Sequence, residues 1–95
     1  MSELNTNKFG SSTIVPISYK VTFEANTRAA GTYNFADSDL LSGYKRVIPV
    51  CASADTGFVQ CTITNFTDGS CGWLAHNIGV KTTTTFRIFF LCINN

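Results

Sequence analysis

The chain has 95 residues, enough for one domain and no more. At 44% hydrophobic and 14% charged residues it is too apolar for a disordered tail. A net charge of +1, with no basic block beyond Lys45-Arg46, sets aside nucleic-acid binding through phosphates. No apolar run approaches the about 20 residues of a membrane-spanning helix, so no membrane insertion is expected.

The opening stretch, Met-Ser-Glu-Leu-Asn-Thr-Asn-Lys, is polar and has no hydrophobic signal region. Residues 1–12 are expected to be a polar linker or the end of a shaft, with one domain over 13–95. Residues 14–24 alternate Ile17, Tyr19, Val21 and Phe23 against Ser18, Lys20, Thr22 and Glu24. This is the period of a strand with one face in water, and Pro16 marks an edge or a strand beginning. Residues 26–31 read as a polar turn, 32–35 as a short run, and 37–41 as a single helical turn capped by Asp37 or Ser38. Residues 44–52 form a second strong strand, in which Pro49 points to an edge or a bulge. Residues 58–66 and 71–78 are expected to pair across Asp68-Gly69, a hairpin turn signal.

The last strand follows four threonines and is the most informative stretch. Phe86, Ile88, Phe90 and Cys92 point one way, while Phe89, Leu91 and Ile93 point the other, with Arg87 the only charge. A strand at the surface of a small antiparallel sheet should alternate apolar with polar residues. Its second face therefore needs a cover, and the simplest cover is another copy of the chain. Phe86, Ile88, Phe89, Phe90, Leu91 and Ile93 are accordingly expected at an oligomer interface. Strands with turn signals roughly every 8–14 residues indicate an all-β domain, a small antiparallel β-sandwich of jelly-roll-like type.

Parts for catalysis are few. The single His76 has no nucleophile set beside it, and no Gly-x-Ser-x-Gly turn is present. The expectation is therefore a protein that is not an enzyme. Cys51, Cys61, Cys71 and Cys92 contain no Cys-x-x-Cys pair, so no metal site or cofactor is expected. Free thiols in the core are the first expectation and one or two disulfides the alternative. Asp37 and Asp39 bracket a serine, which serves a turn more readily than a calcium site needing six or more oxygens. Trp73, Asn65, Asp68, Asp55 and Tyr33 are candidate ligand residues. An aromatic ring near a loop, flanked by Asn and Asp, suits the face of a sugar, although core packing competes for Trp73. Asn65-Phe66-Thr67 matches the glycosylation triplet, which carries no weight without a secretory route.

From Tyr19-Lys20-Val21-Thr22-Phe23 onward the order of segments is distinctive. Leu41-Ser42-Gly43-Tyr44-Lys45-Arg46-Val47-Ile48-Pro49-Val50 follows, then a Trp-containing strand ending in Asn77-Ile78-Gly79. A Thr-rich run then leads into the apolar last strand. Over about residues 19–95 this resembles the C-terminal tip domains of tail fibre and minor tail proteins in phages and prophages of gut Firmicutes. The resemblance implies a viral protein at the virion's tail fibre tip, made in the bacterial cytoplasm. It would be a homotrimer that adheres to a bacterial cell-surface glycan or protein. Loops 52–58, 65–73 and 26–33 would then touch the receptor. Two other classes remain open: a fibre trimerisation module without ligand, and a monomeric lectin-like or immunoglobulin-like sandwich of a secreted protein.

Overall fold

A computed structural model describes residues 12–94 of the chain. The expected linker over 1–12 lies outside the described residues except for Ser12, which already belongs to the first strand. Six strands form two three-stranded antiparallel sheets packed face to face. The strands are β1 (Ser12–Phe23), β2 (Thr27–Asn34), β3 (Arg46–Ala54), β4 (Val59–Phe66), β5 (Ser70–Asn77) and β6 (Thr82–Ile93). One sheet has the order β1-β6-β3 and the other β2-β5-β4. The result is a small all-β sandwich. None of the described helical turns is long and apolar enough to cross a membrane.

β6 is central in its sheet because both of its faces are apolar. Each neighbouring strand supplies an amide ladder, and the β2-β5-β4 sheet covers one face. Phe86, Ile88, Phe90 and Cys92 on that face are fully buried, together with Ile17 and Phe23 of β1. They meet Cys71 and Ala75 from β5 of the opposite sheet, in two contiguous clusters. Rings make up much of the layer between the sheets. Trp73 lies 5.0 Å from Phe86, Tyr33 6.0 Å from Phe90 and Phe35 5.3 Å from Phe90, centroid to centroid. Offset and edge-on arrangements at these separations suit the ring quadrupole. Burial, with the neighbouring Tyr33 hydroxyl second, pushes the Tyr19 phenol well above its ordinary pKa.

Both prolines sit where their missing amide hydrogen does least harm. Pro16 is on the edge strand β1, and Pro49 is on the edge strand β3 at a break in register before Cys51. Two expectations need correction. Residues 27–31, read as turn, are the first half of β2, which pairs with β5 from Thr27 opposite Asn77 to Asn34 opposite Ser70. Cys51 is exposed on the outer face of its sheet instead of buried, whereas Cys71 and Cys92 are buried and all four thiols are free.

The topology gives the sandwich two distinct ends. Ser12, Ile93 and Arg46 of one sheet stand in register at one end, where the chain enters the domain. The β4–β5 hairpin and the segment between β2 and β3, with its 3₁₀ turns Phe35–Asp37 and Asp39–Leu41, lie there too. The other three connections gather at the opposite end, and Asn77 ties two of them, β1–β2 and β5–β6, together. Its buried side-chain amide donates to the carbonyls of Val80 (2.8 Å), Glu24 (3.0 Å) and Phe23 (3.3 Å), while its oxygen accepts from the Gly79 amide at 2.9 Å.

Candidate functional site

The five candidate ligand residues do not converge. Trp73 faces inward from β5 against Phe86, and its indole lies over Gly31, where an added Cβ would come within 2.7 Å of the ring. Tyr33 faces inward as well, with Tyr19 5.9 Å away. Both rings therefore serve the layer between the sheets, as the packing alternative for Trp73 anticipated. Asp55 sits at the far end, in an ion pair with Arg87. Asn65 and Asp68 are exposed at the chain-entry end, the first beside a break in the β4–β5 register and the second in the hairpin loop.

Asp68 instead shares a groove of about 650 Å³ with residues that chain order had kept apart. One wall is the segment between β2 and β3, ending in Tyr44 and Lys45, with Arg46 at the start of β3. The other is the β4–β5 hairpin with Phe66 and Asp68, and Phe35 and Leu41 contribute apolar lining between them. Gly43, at φ 85°, takes the left-handed conformation that swings the chain from the second 3₁₀ turn into the Tyr44-Lys45-Arg46 run. Ser38 caps that turn by accepting from the Leu40 amide at 3.2 Å.

Three sets of hydrogen bonds hold the walls. The Lys45 amide donates to the Ile93 carbonyl at 2.9 Å, and the Phe35 amide to the Gly69 carbonyl at 3.0 Å. Within the hairpin the Thr67 amide reaches the Ser70 carbonyl at 2.9 Å, and the Ser70 amide reaches the Thr67 hydroxyl at 3.1 Å. The loop that carries Asp68 is thus closed by its own side chains.

Charge is distributed unevenly. Glu24 pairs with Lys81 at 3.6 Å and Asp55 with Arg87, both away from the groove. Lys45, Arg46 and Asp68 make no ion pair among the described residues. A second, shallower depression of about 380 Å³ lies on the outer face of the β2-β5-β4 sheet, where Arg28, His76 and Gln60 stand in one row. No carboxylate faces His76 in that row. Burial pushes the Cys61, Cys71 and Cys92 thiols up, which keeps them protonated and poor nucleophiles near neutral pH. No three His, Cys, Asp or Glu side chains converge as metal ligands among the described residues.

The interface expectation divides in two. Phe86, Ile88 and Phe90 are 1%, 0% and 0% exposed within a single chain, so they belong to its own core and are unavailable to a partner. Phe89, Leu91 and Ile93 lie on the outer face. The register sets Leu91 between Ile14 and Ile48, and Phe89 between Pro16 and Cys51. Ile14 and Val50 are each 54% exposed.

The groove was visible in the sequence only through fragments: the Gly43 turn, the Lys45-Arg46 pair and the Asp68-Gly69 hairpin. Phe66 gave no signal, since a terminal strand Phe reads as core. No family model matches the chain, no curated protein matches it, and no solved structure matches it.

Proposed function

We propose that this domain is a non-enzymatic tip of a phage tail fibre that binds the bacterial surface, through a glycan in particular, as a homotrimer. The observation that supports it is the outer face of the β1-β6-β3 sheet. Ile14, Pro16, Ile48, Val50, Phe89, Leu91 and Ile93 make this face apolar across all three strands. Contiguous apolar surface of this kind on a small domain marks an interaction site. Its charges, Arg46 at one end and Lys20 and Arg87 toward the other, with Arg87 paired to Asp55, flank an apolar stretch that suits another copy of itself. The number of copies, three, comes from the resemblance to fibre tips.

Native mass by light scattering at several concentrations tests the reading. The expected mass is three times the 10.3 kDa of one chain, falling to one chain in Leu91→Glu. A dimer would retain the interface and overturn the fibre tip; a monomer at all concentrations would overturn both. A trimerisation module without ligand is the second reading. It is favoured by the loss of Trp73, Tyr33 and Asp55 to packing and ion pairing, and it predicts that cell adsorption is indifferent to groove substitutions.

A further inference from the structure

We infer that the groove at the chain-entry end binds a saccharide carrying an acid group, with the acid on the Lys45–Arg46 side. The inference rests on the surface-binding reading above and supplies its ligand class. Lys45 and Arg46 are adjacent, exposed and without a carboxylate partner among the described residues. Both line the groove, so an anion bound there would gain charge-assisted hydrogen bonds from them. Asp68, on the opposite wall, is an acceptor free for sugar hydroxyls.

Apolar lining supports the rest of the ligand. Phe66 is 52% exposed on the groove wall and Tyr44 is half-buried, so ring surface stands open for the C–H face of a sugar. A volume of about 650 Å³ falls within the ~300–1,000 Å³ of small-molecule clefts. The hydrogen bonds that hold both walls mean that little ordering is left for the ligand to induce. An acidic peptide fits less well. Peptides add to a regular strand edge, whereas the nearby edge of β3 is interrupted by Pro49 and a register break.

The test uses the full chain and four probes followed by amide chemical shifts and calorimetry. They are a galacturonate trisaccharide, its carboxyl-reduced counterpart, a neutral trisaccharide bearing one phosphate, and hexaglutamate. The acidic saccharides are expected to bind with shift changes confined to residues 35–48 and 66–69. Their ranking tells carboxylate from phosphate. The reduced sugar should bind about tenfold or more weakly, and Arg46→Gln or Lys45→Gln should weaken the acidic probe by a similar factor with Tm unchanged. Failure of both acidic sugars to bind overturns the inference. So does equal binding of the reduced sugar, equal binding of hexaglutamate, or indifference to both substitutions. Equal binding of acidic and reduced sugars by an intact trimer would overturn the acid group alone and leave surface binding standing. A monomeric mass would instead strike the fibre reading while the sugar titration stood on its own.

Discussion

Replacing Asn77 by Ala should remove more stability than any other single polar deletion in the domain. The side chain is fully buried and makes four contacts, three of them at 2.8–3.0 Å, that tie the β1–β2 turn to the β5–β6 turn. Each well-formed bond is worth about 1 kcal/mol net, so losing three costs about 3 kcal/mol, before any penalty for carbonyls left dry. Against a total of about 5–15 kcal/mol for a domain this is a large share. At a urea m-value of about 1.5 kcal/mol/M the midpoint should fall by about 2 M. Hydrogen exchange should show the Gly79 amide losing protection while the β6 amides opposite β1 keep theirs. A loss below about 1 kcal/mol would refute the reasoning, because it would mean that the bonds contribute nothing net. Asn77→Asp sharpens the test. A carboxylate there faces three carbonyls, so folding raises its pKa above the unfolded value of about 3.9. The variant should be least destabilised below that value and lose stability as pH rises through the folded pKa.

Thr84 carries a hydroxyl buried without a hydrogen-bond partner, so Thr84→Val should gain about 1 kcal/mol and raise Tm by about 4–8 °C; a lower Tm in a thermal melt would refute this. Gly31→Ala puts a methyl against the Trp73 indole and should cost about 1–3 kcal/mol with a shift in Trp fluorescence, whereas an unchanged emission spectrum and melt would show the ring free to move. Cys51 is the only exposed thiol, so a dilute sample should show one fast-reacting group with Ellman's reagent, with Cys71 and Cys92 reacting only on unfolding. Its rate should fall at concentrations where the chain self-associates, since Cys51 stands beside Phe89 on the apolar face; a rate independent of assembly would place the interface elsewhere.

The strands that sequence periodicity reveals are those whose two faces have different solvents. β1 alternates because one side meets the β2-β5-β4 sheet and the other meets water. β6 reads as apolar twice over, and the structure separates the cause of each half: Phe86, Ile88 and Phe90 fill the core, while Phe89, Leu91 and Ile93 form the outer face. β2 was illegible for a physical reason. Its inner positions near Trp73 are Ala29 and Gly31, small because the indole occupies that space, and small residues carry no hydrophobic period. Asn77 read only as part of the strand over 71–78, since nothing local announces that its amide reaches carbonyls more than fifty residues away. The groove was hidden by the same non-locality. Lys45-Arg46 and Asp68 were each visible, but their shared site exists only because antiparallel pairing returns the hairpin to the end where β3 begins.

The charge pattern bears on which end of the sandwich meets a ligand. At the far end Asn77 joins the β1–β2 and β5–β6 connections, and the carboxylates there are matched within the chain, Glu24 with Lys81 and Asp55 with Arg87, whereas Lys20 and Arg28 make no ion pair among the described residues. A cationic ligand arriving there would have to compete with existing pairs. At the chain-entry end Lys45, Arg46 and Asp68 have no such competitor among the described residues, and Phe66 and Tyr44 leave ring surface open beside them. Ile48 borders both the groove and the apolar outer face, so association through that face would set each groove beside a subunit boundary and direct it sideways. Several weak sites held in that fixed relation would gain avidity on a repetitive surface without any new contact. On the proposed reading, self-association and surface binding would be two uses of one sheet, the flat of it for the partner chain and its end for the ligand.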